Sequence, residues 1–103
     1  MPRIARLSML AAIVNAATAG TVIAAEAPYL GAWDCGVATF WFTPNGYDNG
    51  STVLPVKSVR KEQGGYLLSF ADGYVIALSS ITRTSMSWYS RASGDQFECR
   101  RLR

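Results

Sequence analysis

The sequence predicts an all-β protein, a small closed antiparallel meander of about seven strands that forms a β-barrel or barrel-like sandwich behind a signal-peptide helix. Three observations favour this fold. Apolar and aromatic residues alternate with polar ones at a period of two, turn-forming residues interrupt the chain at short intervals, and one cysteine lies near each end of the folded part. The 103 residues are enough for one domain.

Residues 1–25 are predicted to be a secretory signal peptide. Arg3 and Arg6 precede an apolar run rich in Ala, Val, Ile and Leu, and small residues end this run near Ala25 or, as an earlier option for cleavage, at residues 17–19. An uncleaved membrane anchor is the alternative, because the run approaches the roughly 20 apolar residues of a spanning helix. We therefore expect a bacterial protein that is periplasmic or secreted, meets the membrane only during export, and folds over residues 26–103.

Short runs of alternating residues fill the remaining chain, and they are rich in the aromatic and β-branched types that suit a half-buried sheet. No helix is predicted after residue 25. The seven strands are expected near residues 30–36, 38–43, 52–60, 65–70, 74–79, 83–90 and 95–101.

Turn-forming residues between the runs indicate how these strands connect. Asp72 and Gly73 stand between two alternating runs, which is the pattern of a two-residue type I′ hairpin turn. Pro55 lacks a backbone N–H, so the third strand is expected at a sheet edge or at a bulge.

The two cysteines decide between an open and a closed sheet. Cys35 falls in the first predicted strand and Cys99 in the last, and in an exported chain such a pair is most simply a disulfide, with free or intermolecular thiols as the alternative. A disulfide holds its Cα atoms within about 7 Å, so the first and last strands would be neighbours and the meander would close. The inward positions then form the predicted core: Trp33, Cys35, Phe40, Phe42, Leu68, Phe70, Ile76, Leu78, Met86, Trp88, Phe97 and Cys99.

Charge and composition argue against several classes of function. Without Arg3 and Arg6, eight of the ten basic residues remain against seven acidic ones, and their only cluster, in residues 100–103, is expected to be a solvated chain end. Nucleic acid is therefore not an expected partner. The chain has no His, the commonest general base and metal ligand, and no catalytic motif. We expect no enzyme activity, no cofactor and no metal site.

Two acidic residues flank the cysteines. Asp34 and Glu98 would lie on the outer faces of neighbouring strands and would repel each other unless Arg100 or Arg101 stands between them. This pattern favours a surface ion-pair cluster over a catalytic pair of carboxylates.

The segment between the last two strands is the main candidate for binding. It combines an aromatic, a basic residue, two hydroxyls and a glycine on a loop that two strands and a disulfide would hold rigid, and rigid loops lose little entropy on docking. A solvated hairpin loop is the plain alternative. The candidate binding residues are Tyr89, Ser90, Arg91, Ser93, Gly94 and Asp95, extended by Trp41 and Tyr47, which are expected to point outward or to lie in a turn.

Ser93, Gly94 and Phe97 form a Ser-Gly-x-x-aromatic step, and the chain carries cysteines near both ends of an antiparallel fold. In these features it resembles the small periplasmic inhibitors of C-type lysozyme. The resemblance implies a β-barrel that inserts a Ser-Gly-x-x-Tyr loop into the lysozyme cleft, with the Ser bonded to a catalytic carboxylate and a Trp-x-Lys-Gly loop assisting. Here Phe97 replaces the Tyr, no Trp-x-Lys-Gly occurs, and the step lies just before the last strand.

The leading hypothesis is an exported, non-enzymatic module that binds a protein, in its most specific form an inhibitor of a lysozyme-like hydrolase. Two alternatives stay open. One is a glycan or peptidoglycan binder that uses Trp41, Tyr47 and Tyr89 as stacking platforms, and the other is a structural protein of the cell envelope without a ligand.

Overall fold

The computed structural model describes residues 27–103, so the predicted signal peptide lies outside the described residues. Nine strands and one short 3₁₀ turn, Ala71–Gly73, make up the fold. The strands are β1 (Gly31–Asp34), β2 (Thr39–Phe42), β3 (Gly46–Asp48), β4 (Val53–Pro55), β5 (Ser58–Glu62), β6 (Gly65–Ser69), β7 (Val75–Ser79), β8 (Ser85–Ser90) and β9 (Gln96–Arg101).

All nine strands belong to one antiparallel sheet in the order β4-β3-β2-β1-β9-β8-β7-β6-β5. The chain therefore makes two meanders, β1 to β4 and β5 to β9, which meet where β1 pairs with β9. The predicted all-β fold and the predicted pairing of the first strand with the last are confirmed.

The sheet curls into a half-barrel but stays open, so the predicted closed barrel is wrong. Its two edges are β4 and β5, which are consecutive along the chain and run in the same direction with only Val56 and Lys57 between them, whereas a parallel pair needs a crossover of a dozen or more residues. The N–H of Val56 donates to the carbonyl oxygen of Asn45 at 3.0 Å, and the N–H of Lys57 donates to that of Ser69 at 2.8 Å. The edge strands β4 and β5 are therefore joined through the chain and not by backbone hydrogen bonds between them.

The predicted number of seven strands is also wrong, for two local reasons. The run 52–60 divides at residues 56–57 into β4 and β5. The segment 44–50, which lies outside the predicted strands and is rich in turn-forming Pro, Asn, Asp and Gly, contains the three-residue strand β3. Pro55 does lie on an edge strand, as its missing N–H predicts.

The turn between β6 and β7 has the expected chemistry. Asp72 has φ 63° and ψ 23°, Gly73 has φ 76°, and the N–H of Tyr74 donates to the carbonyl oxygen of Ala71 at 3.3 Å. These values are those of a type I′ turn.

The concave side of the sheet holds the core. All of the predicted core residues are buried except Phe97, which is half-buried and packs against the others. Tyr29, from the segment before β1, adds to this core and meets Phe42 edge to face with ring centroids 5.7 Å apart. Alternation along the longer strands therefore predicted the inward face correctly.

A disulfide joins Cys35 to Cys99, which are 64 positions apart in sequence and have Cα atoms 4.1 Å apart. Such a bond indicates an oxidising compartment, as export implies. No helix among residues 27–103 is long and apolar enough to cross a membrane.

Of the arginines at the chain end, Arg100 and Arg103 are exposed, as predicted, whereas Arg101 is half-buried and forms structural contacts. Arg101 lies beside Trp33, its guanidinium 4.2 Å from the ring centroid. It donates from Nε to the carbonyl oxygen of Arg83 at 2.8 Å, from Nη1 to that of Leu30 at 2.9 Å, and from Nη2 to that of Pro28. One side chain thereby ties β9 to the segment before β1 and to the β7–β8 turn.

Removing the disulfide should destabilise the fold strongly. Replacing Cys35 and Cys99 together with alanine should lower the free energy of unfolding by about 4 kcal/mol, because the bond closes a loop of about 65 residues. Urea unfolding followed by tryptophan fluorescence measures this loss. The unchanged protein should lose a similar amount when reduced, and unfolding midpoints that are the same with and without the bond would contradict the prediction.

Arg101 and Arg100 provide a matched pair of substitutions. Arg101→Met should lower the free energy of unfolding by about 1.5–3 kcal/mol, since backbone carbonyl oxygens, that of Leu30 partly buried, lose a charged donor. Arg100→Met should cost less than about 1 kcal/mol, because the Arg100 side chain is 73% exposed and forms a surface ion pair. Equal losses in the same urea assay would show that Arg101 has no special structural role.

Candidate functional site

Strand directions bring four turns to the same end of the half-barrel, which we call the loop end. These turns span residues 35–38, 49–52, 70–74 and 91–95. Each contains a glycine with positive φ: Gly36, Gly50, Gly73 and Gly94. At Gly94, as at Gly36 and Gly73, a Cβ atom would have no neighbour within 4 Å. The loop end thus presents backbone that a partner surface can approach closely.

The β8–β9 loop at this end is held by its own backbone. The N–H of Ser90 donates to the carbonyl oxygen of Asp95 at 3.0 Å, and the N–H of Gly94 donates to that of Ser90 at 2.8 Å. The N–H of Arg91 donates to the carbonyl oxygen of Val75 on β7 at 3.4 Å. The loop is therefore fixed both across its neck and to the neighbouring strand.

The two serines of this loop have different roles. Ser90 is 2% exposed, and its Oγ accepts the N–H of Ser93 at 3.4 Å. Ser90, one of the candidate binding residues, is therefore not available to a partner, because it shares the inward parity of Met86 and Trp88 on β8. Ser93 is exposed, and its Oγ accepts the N–H of Asp95 at 3.2 Å. A hydroxyl that accepts in this way still has its own hydrogen to donate outward.

The remaining loop residues lie where the sequence placed them. Arg91, Ser93, Gly94 and Asp95 are all exposed, and Tyr89 lies next to them on the outer face of β8 with 38% of its surface accessible. We call Tyr89 together with residues 91–95 the loop surface. Phe97, at the end of the Ser-Gly-x-x-aromatic step, stacks on Trp88 with centroids 5.0 Å apart and joins this surface to the core.

Tyr47 is part of the core, so the expectation that it points outward is wrong. It is 1% exposed, and its ring stacks on Phe42 with centroids 4.8 Å apart. In β3 the outward positions belong to Gly46 and Asp48, which puts the residue between them inside. Burial raises the pKa of the Tyr47 hydroxyl, and the nearby Tyr74 adds to the shift.

Trp41 is exposed on the outer face, as predicted, but it lines a different site. A groove of about 330 Å³ runs beside it across β2, β3 and β4, lined by Trp41, Thr43, Gly46, Asp48 and Val53. Cross-strand register creates this groove, because Trp41 lies opposite Asp48, and Asp48 lies opposite Val53. We call it the Trp41 groove. Sequence analysis missed Asp48 and Val53 because their pairing depends on the unrecognised strand β3.

The Trp41 groove and the loop surface are separate. Tyr89 on β8 lies opposite Gln96, the first residue of β9. Trp41 on β2 lies opposite Ala32, and the carbonyl oxygen of Ala32 accepts the N–H of Leu102, which follows the other end of β9. The six steps along β9 from Gln96 to Leu102 span about 20 Å, and three strand spacings, from β8 to β2, separate the sites sideways. One ligand the size of a single side chain or sugar ring cannot contact both.

Of the two acids beside the disulfide, only Asp34 forms the expected surface ion pair. Arg100 Nη2 donates to Asp34 Oδ2 at 2.9 Å, and the N–H of Gly36 donates to Asp34 Oδ1 at the same distance. The Gly36 N–H and then the Arg100 guanidinium hold the pKa of Asp34 below its usual value. Glu98 instead accepts the hydroxyl of Ser87 at 2.8 Å. Among residues 27–103, no three acidic or cysteine side chains group as metal ligands would.

No protein-family model, curated protein or solved structure matches this chain. Its function is therefore argued from the geometry of these two surfaces.

The buried tyrosines should make the protein sensitive to alkaline pH. Burial, and next the charge of Tyr66, raise the pKa of Tyr29 from its usual 10.0 to about 12. Above pH 10 the unfolded chain releases this proton while the folded chain keeps it, so the free energy of unfolding should fall as pH rises from 10 towards 12. The slope should be smaller in Tyr29→Phe and in Tyr47→Phe, measured by urea unfolding at several pH values. The same slope in both variants as in the unchanged protein would contradict this assignment.

Proposed function

We propose that this protein is an exported, non-enzymatic module that binds another protein through the loop surface. In its most specific form, the partner is a lysozyme-like hydrolase, and the β8–β9 loop enters its cleft. The observation that carries the proposal is the loop itself, whose backbone is locked at its neck while Arg91, Ser93 and Gly94 extend beyond the strands.

Rigidity supports binding by such a small loop. A loop that is already ordered loses little conformational entropy when it docks, so few contacts are needed for useful affinity. Hydrogen bonds across the neck, the bond from Arg91 to β7 and the stacking of Phe97 on Trp88 all order this loop before any partner arrives.

The chemistry of the loop suits a cleft that contains carboxylates. Glycoside hydrolases use a pair of Asp or Glu residues on either side of the bond they break. Ser93 offers a hydroxyl hydrogen, Arg91 offers a guanidinium, and Gly94 has no side chain to block close approach of the backbone. A cleft lined by carboxylates can accept a hydrogen bond from the hydroxyl and pair with the guanidinium, while the backbone at the glycine comes close to its surface.

Substitution of Ser93 tests this proposal. Ser93→Ala should weaken inhibition of a C-type lysozyme about tenfold to a hundredfold, because a hydrogen bond to a charged group contributes about 1.5–3 kcal/mol. Arg91→Ala should also weaken it and should reduce its dependence on salt. Inhibition constants are measured on cell-wall substrate at low and moderate ionic strength.

Ser58→Ala is the control, since Ser58 is an exposed serine on the edge strand β5. It should inhibit like the unchanged protein. If the unchanged protein neither inhibits nor co-elutes with C-type lysozymes, the inhibitor form of the proposal is rejected.

A further inference from the structure

We propose that the Trp41 groove is a saccharide-binding site, which takes one or two pyranose rings of a neutral or amino-sugar glycan. The site is on the other meander from the loop surface and does not depend on the protein-binding function proposed above. Three features carry the inference: a braced aromatic face, a fixed carboxylate and a floor without a side chain.

The aromatic face is Trp41, and it is held in place from behind. The guanidinium of Arg103 lies 5.0 Å from the Trp41 ring centroid. The backbone of Arg103 runs beside β1, where its carbonyl oxygen accepts the N–H of Ala32 at 2.9 Å, whereas the groove lies towards β3 and β4. Arg103 thus supports the ring from the β1 side and leaves the groove side free for a flat ligand.

Asp48 supplies the polar partner. The N–H of Gly50 donates to Asp48 Oδ1 at 2.8 Å and fixes the orientation of the carboxylate. Within residues 27–103, Oδ2 forms neither a hydrogen bond nor an ion pair, so it can accept hydroxyl or amino hydrogens from a ligand. A carboxylate at this place would repel an anionic ligand, which restricts the glycan to neutral or amino sugars.

Gly46 forms the floor. A Cβ atom there would lie 3.4 Å from Val53 Cγ1 and 3.6 Å from Thr43 Oγ1, so a larger side chain would fill the groove. The hydroxyl of Thr43 accepts the N–H of Gly46 at 3.0 Å and donates to its carbonyl oxygen at 3.3 Å. The hydroxyl therefore shapes the floor rather than binding ligand directly.

This lining suits a sugar better than a protein side chain. A pyranose presents C–H groups on its face and hydroxyl donors on its rim, which match an indole face next to a free carboxylate oxygen. The volume of about 330 Å³ is at the lower end for small-molecule sites and allows little more than one or two rings. An apolar protein surface would leave the charge of Asp48 buried and unpaired.

Tryptophan fluorescence can follow binding at this site. Trp33 and Trp88 are 0% and 5% exposed, whereas Trp41 is 38% exposed, so a change on adding ligand reports mainly Trp41. Titration of the purified, oxidised protein with a soluble N-acetylglucosamine tetramer should give a saturable change. A linear response up to millimolar tetramer would overturn the proposal.

Calorimetry with the same tetramer then compares variants. Gly46→Val, which fills the floor and keeps all three tryptophans, should remove binding, and Asp48→Asn, which keeps the acceptor for Gly50, should weaken it about tenfold. Tyr89→Ala and Ser93→Ala, on the loop surface, should bind the tetramer like the unchanged protein.

Each contrary result has a definite meaning. Full affinity in Gly46→Val, or loss of affinity in Tyr89→Ala, would place the sugar elsewhere and overturn the proposal. Concentration-dependent dimerisation that Trp41→Ala abolishes, without any sugar binding, would assign the groove to a second copy of this chain. The expected result, weaker lysozyme inhibition in Ser93→Ala with normal sugar binding, would support two sites that act independently.

Discussion

The seam between β1 and β9 is the constraint on which the rest of the structure depends. The two meanders are each built from hairpins of neighbours in sequence, and only this seam brings residues 64 positions apart into one sheet. Its ladder is short, pairing Trp33 with Arg101 and Asp34 with Arg100. A covalent bond at one end of this ladder and the Arg101 side chain at the other reinforce the place where loop-closure entropy opposes folding most.

The seam also explains how one small domain can carry two separate surfaces. The lining of the Trp41 groove comes from β2, β3 and β4, and the loop surface comes from β8 and the β8–β9 loop, so the two surfaces share no residue, although Arg103 from the end of the second meander braces Trp41. The seam fixes their relative position without contributing a side chain to either loop or groove floor. Substitutions on one surface should therefore leave the other intact, since residues far apart with no shared partner affect stability and binding additively.

Alternation in the sequence predicted the fold wherever a strand was long enough to show its parity. It identified the buried face of β6, β7 and β8. The edge position of Pro55 followed instead from its missing N–H, and the pairing of Cys35 with Cys99 from the presence of two cysteines in a chain predicted to be exported. Alternation failed at β3, because three residues between two turn signals show no period, and this placed Tyr47 on the wrong face. Sequence reasoning missed the Trp41 groove for the same reason, because the groove forms only where β3 pairs with β2 and places Asp48 opposite Trp41.

The contacts of the arginines at the chain end are the second feature that the sequence did not predict. A run of arginines looks like a solvated tail because each guanidinium prefers water, yet two of them lie against tryptophans. Arg101 stacks on Trp33 and Arg103 on Trp41. A Cβ atom at Gly31 would collide with the carbonyl oxygen of Arg103, so only glycine lets the chain end approach β1 this closely. Because Arg101 also donates to four backbone carbonyl oxygens while Arg103 stays exposed, salt should weaken the brace on Trp41 before it loosens the seam.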